Sequence, residues 1–234
     1  MCSYLINSSI GKKLVMSLSG MALVLFVVFH MSMNLAAIFS GEAYNAICAF
    51  LGANWYALIA TAGLAVLVLV HFIYALILTR NNYAARGNIR YAVTVNEPGV
   101  EWNSKNMLVL GWVVLGGLLI HLCHFWSKMQ LVEILHGMGV HVHAEFDPTD
   151  GAGIIKHTFS QWYNVVIYLV WFAGLWFHLT HGVWSMLQSV GVANDVWYPR
   201  LKVVSTAVAT LIFLGFAAVV IYAFVSSNFC VACC

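Results

Sequence analysis

The chain alternates between long apolar segments and short polar connectors. Five segments carry no charged residue, and each is longer than the roughly 20 residues that cross the hydrocarbon core of a bilayer as a helix. Backbone N–H and C=O groups inside a bilayer must be paired within their own segment, so the pattern predicts helices. The predicted spans are residues 14–39, 55–79, 106–127, 162–190 and 203–227. The whole chain, 1–234, is interpreted as a single all-α integral-membrane domain.

The composition excludes most soluble classes of protein. Hydrophobic residues make up 62% of the chain and charged residues 8%, with a mean hydropathy of +0.89. Soluble domains are about 45–50% apolar and about 25% charged. The net charge of +2 is too small for a surface that binds the phosphates of nucleic acid. Lys12 and Lys13 precede an apolar run longer than the core of a signal peptide, so the first segment is expected to be a retained span.

Basic residues predict the orientation in the membrane, because they accumulate on the cytoplasmic side. With five spans the two termini lie on opposite sides, and only Lys128 and Lys156 fall on the side of the C-terminus. The N-terminus is therefore expected in the cytoplasm and the C-terminus outside. The basic residues on the N-terminal side are Lys12, Lys13, Arg80, Arg86, Arg90, Lys105, Arg200 and Lys202.

Six histidines lie within the predicted spans, where an ionisable group is costly and points to a function. Four of them lie about 22–24 Å from the start of their own helix at a rise of 1.5 Å per residue. The first and third helices run outward, so His30 and His121 share a level near the external surface. The second and fourth run inward, so His71 and His178 share a level near the cytoplasmic surface.

Two histidines at one level on different helices are the arrangement that supplies both axial ligands of a haem iron. The spacing therefore predicts two bis-histidine haem sites in a bundle of the first four helices, with pairs His30/His121 and His71/His178. The fifth helix contains no histidine and is expected only to pack. His124 and His181 follow their neighbours by three residues and face nearly the same way, so spacing alone does not choose between them as ligands.

Short motifs surround these histidines and carry a resemblance to a known family. The first helix has Ser19-Gly20, His30-Met31 and Asn34-Leu35, after a start at residues 9–13 that reads SIGKK. The later motifs are Arg80-Asn81-Asn82, Ala85-Arg86 and Arg90-Tyr91 after His71, Gly116-Gly117 before His121-Leu122, and Gly182-Val183-Trp184 after His178. Over nearly its whole length the chain resembles the dihaem cytochrome b membrane anchor of bacterial succinate:menaquinone oxidoreductases and fumarate reductases.

This resemblance implies a function in electron transport in the bacterial cytoplasmic (inner) membrane. It implies two haem b groups, menaquinone or menaquinol as substrate, and the iron–sulfur and flavoprotein subunits of the same complex as partners. It also allows a dimer of the whole complex. It favours His121 over His124 and His178 over His181 as iron ligands. The chain has no dinucleotide fingerprint and no cysteine cluster suited to an iron–sulfur centre, so succinate or fumarate would react on partner subunits.

Two surfaces follow from this interpretation. The iron–sulfur subunit is expected to dock on the cytoplasmic side, at Arg86, Arg90 and residues near Lys12. The quinone is expected near the external haem. The candidate quinone-site residues are Asn34, Glu42, His124 and Trp126.

Several alternatives stay open at this stage. The chain could be the cytochrome b subunit of a hydrogenase, formate dehydrogenase or nitrate reductase, or a proton-coupled transporter without a cofactor. In the long third connector, residues 129–139 could lie along the membrane surface. His141 and His143, with Glu145 or Asp147, could bind a metal, or they could belong with His136 and His157 to a polar loop over the external haem. A metal, a disulfide or a plain apolar tail are the options for Cys230, Cys233 and Cys234.

Overall fold

The computed structural model describes residues 8–86 and 102–229, and within these ranges all regular secondary structure is helical. Arg90 and the three cysteines of the tail lie outside the described residues. A π-helical turn, Leu122–Trp126, directly follows the α-helix that ends at His121. The α-helices are α1 (Ser9–Phe39), α2 (Gly41–Phe50), α3 (Trp55–Arg86), α4 (Trp102–Lys105), α5 (Met107–His121), α6 (Gln130–Gly137), α7 (Gly151–Ser160), α8 (Trp162–Ser189) and α9 (Trp197–Asn228).

The prediction of an all-α chain with five apolar helices is confirmed, because α1, α3, α5 with its π turn, α8 and α9 are long and apolar enough to cross a membrane. Three of them extend beyond the predicted ends. Ser8 caps α1 by accepting a hydrogen bond from the Gly11 N–H at 2.9 Å. Helix α3 continues past Arg80. Helix α9 begins at Trp197, because Pro199 fits the first turn of a helix. Charge-free segments underestimate the length of these helices, since lysine and arginine are good helix formers and extend the helix beyond the apolar part.

The connectors contain more structure than the sequence indicated. Gly41 and Glu42, predicted to lie in a connector, begin α2, and the third connector holds α6 and α7. These three helices form a cap on one end of the bundle, here named the cap end; the opposite end, where α1 begins, is the N-terminal end. The cap is held by hydrogen bonds between α2 and α7. Asn45 donates to the Asp150 carboxylate at 2.8 Å and accepts from the Ala152 N–H at 2.8 Å.

The long helices alternate in direction and pack unequally. The last helix, α9, lies along α8 and α1, while α8 also packs against α1 and α5. Two apolar clusters form the core, one near each end. Helix α3 lies at the periphery of the bundle, because between Trp55 and Ala85 only Ala57 is buried. The buried apolar residues of the two clusters are Tyr44, Ile155, Phe159, Tyr168, Phe172, Val219, Val220 and Ala223 near the cap, and Leu179, Val183, Ala209 and Ile212 near the N-terminal end.

A glycine sets the close contact between α5 and α8. A Cβ atom at Gly117 would collide with the indole of Trp171. That indole donates a hydrogen bond to the backbone oxygen of Val114 at 3.0 Å. Small residues allow helix backbones to approach closely in membrane proteins. This contact positions α5, and with it His121, against α8.

Candidate functional site

His30 and His121 face each other near the cap end and are named here the cap-end pair. Their ring centroids are 5.7 Å apart, and the rings are nearly perpendicular, at 82°. His30 comes from α1, whereas His121 is the last residue of α5 before the π turn. Aromatic side chains from three helices surround the two rings. They are Phe26 at 5.5 Å and Phe216 at 5.9 Å from His30, and Trp171 at 5.8 Å from His121.

His71 and His178 form the second pair, named the N-end pair, between α3 and α8. Their ring centroids are 6.4 Å apart, at an interplanar angle of 67°. The hydroxyl of Ser19 on α1 lies 3.1 Å from Nδ1 of His71 and donates its proton to the backbone oxygen of Met16 at 3.0 Å. When the serine proton stays on this carbonyl, the serine oxygen accepts the proton of Nδ1, and Nε2 of His71 is then unprotonated, as metal binding requires.

The two pairs lie at different depths in the bundle. His71 is level with Ser19 on α1, and Ser19 precedes His30 by about 16 Å along the helix axis at 1.5 Å per residue. On α8, Tyr168 contacts His121 with ring centroids 6.4 Å apart, and His178 follows Tyr168 by about 15 Å. Two independent helices thus indicate the same separation. The arrangement is two stacked pairs, each contributed by two helices.

Asn34 connects the cap-end pair to the cap. Its amide donates to the backbone oxygen of His30 at 2.8 Å and lies 3.4 Å from Nε2 of the same histidine. The hydroxyl of Tyr44, in the cap helix α2, donates to the Asn34 side-chain oxygen at 3.0 Å. Tyr44 is buried, and burial is the main cause that raises the pKa of its hydroxyl. The cap therefore closes over the pair with a dry, hydrogen-bonded contact.

The π turn separates His124 from His121. In an uninterrupted α-helix the two side chains would face nearly the same way, but in the π turn His124 stacks on Tyr168 of α8. Their ring centroids are 5.8 Å apart, and Nδ1 of His124 lies 3.2 Å from the Tyr168 hydroxyl. Sequence reasoning missed Tyr168, since one tyrosine in an apolar helix carries no signal of its own. π turns often occur at functional sites.

His181 follows His178 by three residues on α8. Its ring packs against Trp184, with centroids 4.7 Å apart. Two polar atoms nearby, Nδ1 of His178 and Nε1 of Trp184, are buried and have no hydrogen-bond partner among the described residues. A buried N–H without an acceptor costs about 1–3 kcal/mol, so such groups indicate a further polar partner. The ammonium group of Lys202 lies 5.2 Å from the Trp184 ring.

The geometry of both pairs fits a haem with two axial imidazoles. Two imidazoles on opposite sides of one metal, each bonded at about 2 Å, have centroids about 6 Å apart. All four histidines are half-buried, so their rings keep surface for a further contact. Of the glycines beside the histidines, Gly20 lies against His71, since a Cβ atom there would come within 3.3 Å of Cε1 of the imidazole. The residues present therefore fit two haem groups, and ligation itself stays a prediction.

Two of the four candidate quinone-site residues, Asn34 and His124, adjoin the cap-end pair through the contacts given above. The indole N–H of Trp126 is bonded instead to Gln130 Oε1 at 2.9 Å. Glu42 lies in the first turn of α2 and is exposed.

The docking candidates remain at the N-terminal end. Lys12 lies in the first turns of α1, and Arg86 is the last residue of α3. Their role in binding a partner stays a prediction.

The histidines of the third connector do not assemble a metal site. Within residues 8–86 and 102–229, no three His, Cys, Asp or Glu side chains lie close enough to hold an ion. His141 packs against His136 at 6.3 Å, and His157 packs against Phe146 at 4.7 Å. Asp147 accepts two hydrogen bonds from Thr149, which lower the pKa of its carboxyl group. These residues make local contacts within the connector and do not form a common metal site.

Comparison of the chain with protein-family models, with curated protein sequences and with solved structures gives no match.

Proposed function

We propose that this chain is the dihaem cytochrome b anchor of a succinate:quinone oxidoreductase or quinol:fumarate reductase. In this function it passes electrons between menaquinol or menaquinone in the bilayer and an iron–sulfur subunit, which exchanges them with a flavoprotein subunit. The observation that carries the proposal is the meeting of four intramembrane histidines in two pairs at two depths. Each pair joins two different helices at the centroid distance that two axial ligands require.

The residues around the pairs have defined tasks in this function. Iron held by two axial imidazoles supplies reversible one-electron chemistry. The proton that Ser19 holds on Nδ1 of His71 leaves Nε2 free to bind iron. Aromatic side chains exclude water around the cap-end pair, and low polarity favours the less charged state of a redox centre. Two histidines per site would leave a bound iron without an open position, so such a site would transfer electrons and would not bind a further ligand.

The unequal charge of the two ends supports a direction for the path. Eight of the ten basic residues belong to the N-terminal side, which we place in the cytoplasm of a bacterium. The N-end pair then lies nearer the docking surface for the iron–sulfur subunit. The cap-end pair lies nearer the external surface, where the quinone reacts.

A reduced-minus-oxidised absorption spectrum of the purified chain tests the proposal. We expect the bands of low-spin b haem and two haem groups per chain. Replacing His30 or His121 by alanine should remove one haem, and replacing His71 or His178 should remove the other, since a missing axial ligand abolishes that site. His136→Ala, in the third connector, is the matched control and should keep both.

Different outcomes contradict different parts of the proposal. A chain without haem bands would favour a transporter without a cofactor. Disturbance of the same haem by His30→Ala and His71→Ala would contradict the pairing. Normal loading of the cap-end haem in His30→Ala would favour the cytochrome b subunit of a hydrogenase, formate dehydrogenase or nitrate reductase. Copurification with partners that reduce fumarate or oxidise succinate tests the complex to which the chain belongs.

A further inference from the structure

The hydroxyl of Tyr168 is held in an apolar cage with one hydrogen-bonding neighbour. Tyr168 is 2% exposed, and within the described residues His124 Nδ1 is the partner of its hydroxyl. Buried tyrosine hydroxyls are nearly always hydrogen-bonded, because an unpaired one loses its bonds to water. The rings around the phenol are Phe125, Phe159, Trp171 and Phe172, with centroids between 4.9 and 6.2 Å from that of Tyr168.

This cage determines which group donates the hydrogen bond. A neutral imidazole has one nitrogen that donates and one that accepts. If Nδ1 of His124 donated to the phenol oxygen, the phenol proton would need another acceptor, and within the described residues the hydroxyl has no second hydrogen bond, with the thiol of Cys123, a weak acceptor, as the other polar group nearby. The favourable arrangement has Tyr168 donating to Nδ1. The proton of His124 then resides on Nε2, which has no hydrogen-bond partner among the described residues.

The position of His124 brings this N–H to the membrane near the cap-end pair. It lies within the last turn of the span that ends at Trp126. Its neighbour Cys123 is exposed, and Leu119 on the same helix is 56% exposed, so this flank of α5 faces the lipid. Tyr168 contacts both His124 and His121, the latter with centroids 6.4 Å apart. A hydrophobic molecule that arrives through the bilayer can therefore meet His124 next to the electron-transfer pair.

We propose that Tyr168 is a positioning residue that sets the tautomer and orientation of His124, so that Nε2–H of His124 donates a hydrogen bond to a carbonyl oxygen of a quinone. This inference rests on the proposed function, because it concerns the quinone that exchanges electrons with the cap-end pair. Tyr168 itself does not touch the quinone. Its hydrogen bond to Nδ1 excludes the tautomer in which Nε2 presents a lone pair to the carbonyl oxygen.

Equilibrium binding of a dimethylnaphthoquinone to the purified, haem-loaded chain tests this role. Tyr168→Phe removes the hydroxyl alone, and we expect the quinone to bind about tenfold more weakly, as for one lost hydrogen bond. His124→Leu should weaken binding by about the same factor, since it removes the donor. His124→Gln keeps an N–H donor and should stay within about threefold of the unchanged chain. Tyr163→Phe, an exposed tyrosine on the same helix, is the control and should bind normally.

A double-mutant comparison separates positioning from general damage. If Tyr168 acts through His124, adding Tyr168→Phe to His124→Leu should weaken quinone binding no further. Additive losses, or unchanged binding in Tyr168→Phe with both haem groups present, would overturn the inference. If Tyr168→Phe does not accumulate, equal binding by His124→Leu and His124→Gln would also overturn it. The haem spectrum of the unchanged chain tests the proposed function separately, so the two failures are distinguishable.

Discussion

At the scale of single residues, a neighbouring hydroxyl group favours one tautomer of a histidine. Ser19 is 4% exposed, and when its hydroxyl donates to a carbonyl of its own helix, its oxygen accepts from His71. The same principle applies, with the opposite direction of donation, to Tyr168 and His124. In both cases the second atom in the hydrogen bond defines the tautomer. The proposed chemistry of the histidines therefore also depends on the hydroxyl groups beside them.

Replacing Ser19 by alanine should weaken the haem at the N-end pair and leave the other haem unchanged. His71 would lose the acceptor that keeps its proton on Nδ1, and loss of such a partner typically lowers metal affinity by about 10–100-fold. The measurement is the haem content per chain, together with the absorption and midpoint potential of each haem. Ser17→Ala is the control, since Ser17 is equally buried on α1, at 5% exposed. Equal effects of the two variants would show that Ser19 only packs.

At the scale of elements, a buried glutamine adds a polar link between the cap and the bundle. Gln130, at the start of α6, accepts hydrogen bonds from Thr61 of α3 and from Trp126 of the π turn, each at 2.9 Å. It also donates to the backbone oxygen of Gly52 at 3.0 Å. Glu133, one turn later, accepts a bond from the Ala53 N–H. These contacts hold the π turn, and hence His124, in place.

We expect Gln130→Ala to loosen the cap without abolishing the bundle. The change removes the partner of three polar groups, of which the backbone oxygen of Gly52 is buried and loses about 1–3 kcal/mol. Cys48 in the cap reports the effect, because it is half-buried and burial raises the pKa of its thiol to about 11. Its rate of alkylation at neutral pH, measured by peptide mass mapping, should rise in Gln130→Ala. The exposed Gln188→Ala should alkylate as the unchanged chain does, and a slow rate in both variants would contradict the role of Gln130.

At the scale of the whole molecule, depth and charge define two different ends. The N-terminal end carries most basic residues and lies nearer His71 and His178. The cap end carries few basic residues and lies nearer His30 and His121, under a hydrogen-bonded cap. Electrons that enter at one end and leave at the other would pass both pairs. The proposed complex therefore needs its soluble partners at the N-terminal end.

Lysine cross-linking of the assembled complex tests this arrangement, because the lysines divide between the ends. We expect cross-links to the iron–sulfur subunit from Lys12, Lys13 and Lys202, and none from Lys128 or Lys156. The reason is that a partner docked at the N-terminal end lies a full bilayer thickness from the cap end, about 30 Å or more away. Mass spectrometry identifies the linked pairs. Partner contacts confined to residues 128–161 would invert the orientation.

The sequence by itself determined the existence, type and number of the long helices, and the depth of each intramembrane histidine. Hydropathy decides which segments can enter a bilayer, and the fixed rise of a helix converts residue spacing into depth. His30 and His121, and likewise His71 and His178, are therefore at matching levels by spacing alone. The same spacing could not rank His121 above His124, because both lie on similar faces of an ideal helix.

Only the tertiary structure decided which side chains face one another. The π turn after His121 was not predicted, because apolar periodicity carries no sign of such an inserted residue. Tyr168 and Gln130 act through contacts with other helices, so their roles depend on how α8 and α6 pack. Two cap helices, α2 and α7, were missed because they are short and lie among turn-forming residues. Depth follows from local geometry, whereas direction around a helix axis depends on packing against its neighbours.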